Sequence, residues 1–334
     1  MLLTKTRAYG LIELLLATAI ASLLFALLIQ LFLQFSESTF RFEQQASRNE
    51  VVHFAMVELQ RDIRMAHYLP CGQTATQSSI LNTATSHWWQ NPFANQIRGY
   101  DDQQLPEAIV KDAISDQDAL MILRAGKNRA SIKSYAANRF TLAGEQSLAW
   151  LRTGSLLFAC DPSHTVLFQA GVVNRRDRTI EVALDPAQKP GNCSRDLGPS
   201  LVGQCLQQGH SFQALSYIAD YHAAIYYLST SVSGNGRSIY REVLQLSGKP
   251  GKISSRRQEL SAGIDTISFR YDLDLDRDGY AETHATAAEI RQQHLPWTHV
   301  SGVEIMLRYE SSRHRIGPAV VAAAQPDRIH VAIR

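Results

Sequence analysis

The densest run of potential ligands in the chain is Asp274-Leu275-Asp276-Arg277-Asp278-Gly279-Tyr280-Ala281-Glu282. Its carboxylates occupy positions 1, 3 and 5, where a turn aims them at one point. Glycine at position 6 permits the bend, position 7 offers the Tyr280 backbone carbonyl, and position 9 offers Glu282. Carboxylates this close repel one another unless a cation neutralises them. Hard oxygen donors at regular spacing suit calcium better than a transition metal. The expected metal ligands are therefore Asp274, Asp276, Asp278, Tyr280 and Glu282. Position 12 is Ala285, so the usual bidentate glutamate is missing, and a further ligand must come from Asp272, water or elsewhere. The competing reading is a solvated Asp-Gly hairpin turn between two strands.

A second chemically pointed residue is Glu13, the only ionisable side chain in the apolar run Leu11 to Leu33. About 20 apolar residues span a bilayer core. A carboxylate inside such a segment is costly and usually functional. Lys5 and Arg7 precede the run with no acid beside them. The short leading segment is thus expected on the cytoplasmic side, with the rest of the chain exported. A cleaved secretory signal fits less well, because the run is too long and no clean small-x-small site follows it.

Other chemistry is sparse. No GxSxG, HExxH, Walker loop or dinucleotide fingerprint occurs, so no enzymatic activity is expected. His284, His294 and His299 lie near the acidic loop but read as surface or packing residues. The net charge is only +2, which gives no strong field toward nucleic acid. The basic clusters Arg175-Arg176-Asp177-Arg178, Lys249 with Lys252, Arg256 and Arg257, and Arg313-His314-Arg315 read as solvated loops. Cys71, Cys160, Cys193 and Cys205 form no CxxC pair and all follow the apolar run. Beyond a membrane, an even number of cysteines suggests disulfides. Four allow three pairings. Cys71–Cys160 is expected to tie a helix end to a sheet, and Cys193–Cys205 to close a short loop, as their close spacing favours.

These residues need elements to position them. From the apolar run to Tyr68 the chain lacks Pro and, after Gly10, Gly. Val52, Ala55, Met56, Leu59, Ile63 and Ala66 recur three and four apart, so the apolar helix (residues 9–35) continues into an amphipathic half (36–70). Pro70, Cys71 and Gly72 are expected to end it. Residues 73 to 118 are polar and irregular, with Trp88, Trp89 and Phe93 as local packing. Strands are expected at Ala119–Arg124, Ser155–Ala159, Thr165–Val173, Thr179–Leu184, His222–Ser231, Ser238–Leu246, Ile264–Leu273, His299–Tyr309 and Asp327–Arg334. A helix followed by strands is an α+β arrangement: a long N-terminal helix packed on an antiparallel sheet, with irregular insertions, in a head covering 71–334.

The segment Ala8-Tyr9-Gly10-Leu11-Ile12-Glu13-Leu14-Leu15 resembles the leader signal of type IV prepilins. That resemblance implies a leader of residues 1–8, cleavage between Ala8 and Tyr9, and N-methylation of Tyr9. Glu13 then falls at mature position five, where it neutralises the terminal amine of a neighbour in the fibre. Ala8 stands where the family usually has Gly; a cut after Gly10 would restore Gly but misplace Glu13. The head resembles PilW-type minor pilins. The matching stretches include Leu59–Ala66 before Pro70-Cys71-Gly72, Cys160-Asp161 before Val166–Gln169, and Tyr226-Tyr227-Leu228 before Ser238–Arg241. The last and strongest match is Glu259–Ile264 running into Phe269-Arg270-Tyr271, the Asp-rich loop, Trp297 and Val300–Leu307.

The resemblance implies a minor pilin that primes type IV pilus assembly at the inner membrane, with a single membrane pass, a periplasmic head and a place at the fibre tip. Its partners would be other minor pilins, the major pilin, the prepilin peptidase and the assembly platform; no nucleic acid is expected, on the low net charge. A type II secretion pseudopilin shares the N-terminus and sometimes a calcium loop, and remains an alternative. A membrane-anchored periplasmic enzyme is a third.

Overall fold

Helix α1 runs from Leu11 to Arg64. In the computed structural model the described residues are 10–72, 76–82, 87–184, 190–199, 205, 208–212, 215–234, 236–247, 252–309 and 327–333. Two compact units result, residues 1–53 and 54–334, and α1 runs through both. The first unit is described by its helical segment alone, taken up below. In the second, Ala55, Met56, Leu59 and Ile63 of α1 are buried, as their spacing requires. Regular helix stops at Arg64, sooner than the sequence suggests. Amides of Met65, Ala66 and Tyr68 turn to carbonyls only three residues back, which tightens the chain before Pro70.

The body from Phe54 onward is sheet-rich. Its large sheet draws on β1 (Thr76–Ser79), β2 (Ile97–Tyr100), β3 (Ala119–Ala136), β4 (Arg139–Leu142), β5 (Leu156–Cys160) and β6 (His164–Gln169). It continues with β7 (Val173–Asn174), β8 (Thr179–Glu181), β9 (Tyr217–Thr230), β10 (Arg237–Leu246) and β11 (Ile253–Ala262). The two long strands β3 and β9 pair antiparallel as a spine. On its other edge, β9 takes β5 along Tyr217–Asp220 and β10 along Ala224–Thr230. β3 takes β2 at its start and β4 at its end. At β5 and β6 both faces are buried, and the strand period of two sorts side chains between them. In β5 and β6, Phe158 and Leu167 enter one apolar core, while Leu157, Ala159, Val166 and Phe168 enter the other.

Four further strands form a small sheet in the order β13-β12-β14-β15: β12 (Ile264–Leu273), β13 (Thr283–Ala285), β14 (Val300–Tyr309) and β15 (Asp327–Ala332). A short helix α2 (Ala287–Gln292) lies between β13 and β14 and opens on a Thr286–Glu289 capping box. The joint with the large sheet is polar. Gln117 and Asp118, just before β3, accept hydrogen bonds from the amides of Ile267 and Phe269 on β12, at 3.0 and 2.9 Å. Arg291 on α2 reaches Asp101 after β2 at 2.7 Å. The Tyr271 ring lies over Gly99, where any Cβ would overlap it.

The two disulfides are Cys71–Cys160, joining the segment after α1 to the end of β5, and Cys193–Cys205, closing a loop. The aromatic cluster of the polar stretch is packing: Trp89 is buried and Phe93 lies against Phe158. Arg256 and Arg257 do not lie in a loop but on the edge strand β11. Arg257 pairs with Asp112 at 2.8 Å and covers the Tyr240 ring. Lys249 of that cluster and the cluster Arg313-His314-Arg315 lie outside the described residues.

The end of α1 is fastened to the spine by a buried carboxylate. Asp62 is 2% exposed. It accepts from Arg124 on β3 at 2.6 Å and from the Tyr226 hydroxyl on β9 at 2.7 Å, and lies 3.3 Å from His222 Nε2. One turn earlier, Glu58 pairs with Arg241 on β10 at 3.2 Å. Burial alone would raise the Asp62 pKa. His222, Arg124 and Tyr226 together outweigh burial and hold it well below the usual carboxylate range. A depressed folded pKa gives stability that is present above the unfolded value of about 3.9 and is lost as pH falls through the folded one. Asp62→Asn leaves Arg124 buried without its counter-charge and should cost about 3–5 kcal/mol at pH 7. Thermal melts of the full chain in detergent should show this gap at neutral pH and its narrowing in strong acid. Equal melting temperatures at pH 7 would refute the clamp.

Candidate metal centre and anchor helix

The acidic loop connects β12 to β13, and both of its ends are pinned. Leu273 pairs with Thr283 across the hairpin. The Asp274 amide donates to the His299 carbonyl at 2.9 Å, and the Glu282 amide to the Leu273 carbonyl at 3.0 Å. Between these anchors the chain folds back on itself. Gly279 takes φ +98°, a conformation that side chains with a Cβ rarely adopt, and Arg277 also lies in the left-handed region at +64°. The loop amides turn inward onto the carboxylates. Asp278 N donates to Asp274 and Asp276, each at 3.1 Å; Gly279 N donates to Asp274 at 3.0 Å; and Leu275 N donates to Glu282 at 2.7 Å.

The result brings four carboxylates together. Asp274, Asp276, Asp278 and Glu282 each offer an oxygen, and these oxygens lie within 4.8 Å of one another. Asp274 is half-buried and the other three are exposed, so an ion can reach them. Such a cluster can hold a metal ion. Tyr280 is exposed, and its amide donates to Asp278 at 2.8 Å; the role expected of it rests on its carbonyl, not its ring. Ala285 lies in β13 and is buried opposite Tyr271, so position 12 contributes no ligand.

Asp272 does not serve as the missing ligand. Its carboxylate bonds to His284 at 2.6 Å and to His330. His284 is exposed, in keeping with a surface residue, and its ring faces the Asp272 carboxylate, not the loop. Cross-strand register carries this information: Asp272 faces His284 directly in the β12–β13 pairing. His330 lies beyond β14, and nothing local in the sequence announces it.

The helical segment of the first unit carries the other candidate feature. Glu13–Ser36, 24 residues with mean hydropathy 2.5, is long and apolar enough to cross a membrane. Its side chains are exposed throughout the described part. Glu13 lies in the first turn and accepts from the Gly10 amide at 3.3 Å. A carboxylate there suits the positive end of the helix dipole, which is a purely local role. Ala8 and Tyr9 lie outside the described residues. Among known proteins, no family model and no curated sequence matches the chain.

A bound divalent ion should stabilise the folded chain by mass action, by about 2.7 kcal/mol at 100 times the dissociation constant. Adding millimolar calcium to the full chain in detergent should raise its melting temperature. Asp276→Ala should abolish that rise while leaving the melting temperature in chelator unchanged. Identical melting of the unmodified chain with calcium and with chelator would leave only a solvated hairpin.

Proposed function

We propose that this chain is a type IV pilin-like protein, a minor pilin of the PilW type, that primes pilus assembly at the inner membrane. The observation that carries the reading is a 24-residue apolar helix with Glu13 as its sole ionisable side chain. Carboxylates are rare in such segments because an unpaired charge among apolar helices is strongly unfavourable. In this reading the leader is cut between Ala8 and Tyr9, and Tyr9 is methylated. Glu13 pairs with the terminal amine of a neighbouring pilin, which sets the register of the fibre. The head lies in the periplasm, where its two disulfides persist. Other minor pilins, the major pilin, the prepilin peptidase and the assembly platform are its partners.

The loop ion in this reading is calcium, held by Asp274, Asp276, Asp278, Glu282 and the Tyr280 carbonyl. An all-oxygen donor set favours it. Without a bidentate ligand at position 12 the site is weak, with a dissociation constant on the order of 10⁻⁴ to 10⁻³ M. The same loop favours a second reading, a type II secretion pseudopilin, since that class sometimes carries one.

Two genetic measurements test the proposal. Deleting the gene should remove surface pili and leave enzyme secretion intact; the reverse pattern would select the pseudopilin reading. Glu13→Ala should still be processed by the peptidase but enter pili poorly. Full assembly of the Glu13→Ala protein would refute the assigned pairing.

A further inference from the structure

Side chains from three strands of the small sheet meet at Asp272. His284, its direct cross-strand neighbour on β13, places Nδ1 2.6 Å from Oδ1. His330 on β15 places Nε2 against Oδ2. β15 is two strands away from β12, with β14 between them. The crossing is possible because β14 carries Gly302 there. Gly302 pairs with Asp272 on one side and with Ala332 on the other. A Cβ at position 302 would overlap the Asp272 carboxylate and come within 3.2 Å of His330 Nε2. The glycine thus opens a notch in the sheet surface, and His330 reaches over it.

Burial grades across the notch. The Asp272 side chain is 9% exposed, whereas those of His284 and His330 are 64% and 59% exposed. A nearly buried carboxylate forms the floor, with two solvent-facing imidazoles at the rim. Among the described residues the polar partners of the Asp272 carboxylate are these two rings. A carboxylate flanked by two imidazoles presents one oxygen and two nitrogen donors. That mixture matches zinc-like ions, whereas the neighbouring loop offers oxygens alone.

We propose that Asp272, His284 and His330 form a binding site for a zinc-class divalent transition metal, separate from the acidic loop. The ion takes the ring nitrogens that now face the carboxylate, and each neutral imidazole carries its one proton on its other nitrogen. His284 binds through Nδ1 and His330 through Nε2, their exposed rings turning to close on the ion, and water fills the remaining position. The site would cross-link β13 and β15 through β12. It does not depend on the pilin reading.

Calorimetric titration of zinc chloride into the full chain in detergent, with calcium saturating the loop, tests this. One zinc should bind per chain. His284→Ala and His330→Ala should each weaken binding at least about 10-fold, while Asp276→Ala leaves it unchanged. Both imidazoles lie at the surface, so circular dichroism should match across the variants. X-ray absorption at the zinc edge of the unmodified protein should show two imidazole ligands, a readout that no variant's folding affects. Absence of zinc binding, a histidine variant that binds like the parent, or a spectrum with fewer than two imidazoles would each overturn the site.

Discussion

A single buried carboxylate sets the geometry of the head. Asp62 cannot sit in a 2% exposed position unless its charge is met. The groups that meet it, Arg124, His222 and Tyr226, come from β3 and β9, the two longest strands. The end of α1 is therefore fixed to the spine of the large sheet. Everything downstream hangs from that spine. Residues Gln117 and Asp118, immediately before β3, hold β12 through its amides. β12 in turn carries the acidic loop at its end and Asp272 one residue before its last. The candidate metal loop is thus positioned through a short chain of hydrogen bonds that begins at the buried ion pair.

Much of this was legible in the sequence, and the failures share a cause. The apolar run, the buried helix face and most central strands follow from hydrophobic period. The short strands β1 and β2 did not, because Thr76–Ser79 carries no apolar residue and Ile97–Tyr100 includes Gly99 and Arg98. β3 reads as ending at Arg124, since Gly126 and Asn128 look like a turn. In the fold they form a bulge, pinned by Asp220, which accepts from Asn128 at 2.9 and 3.0 Å, and the strand resumes beyond it. β11 is too polar to announce itself, because an edge strand need not bury both faces.

At the candidate site, local spacing was a good guide and distant pairing was not. Alternating aspartates, Gly279 and Glu282 foretell a tight acidic loop, because all its contacts lie within a few residues. Asp272 reads as a spare ligand for that loop until the sheet register is known. Register turns it toward His284, and the small size of Gly302 admits His330 from a strand nearly sixty residues later, a separation of 58. Asp62 is similarly buried, beside Leu59 and Ile63, although a charged residue in an amphipathic helix is ordinarily solvent-facing. In both cases the missing information is which strand comes alongside.

The proposed role joins this head to an apolar helix whose one charged group, Glu13, needs a partner once the helix leaves water. The mass of the mature N-terminal peptide tests that account most directly. If the chain is a prepilin, processing between Ala8 and Tyr9 removes Lys5 and Arg7, and the mature protein begins with methylated Tyr9. An intact Met1, or a start beyond residue 25, would contradict it.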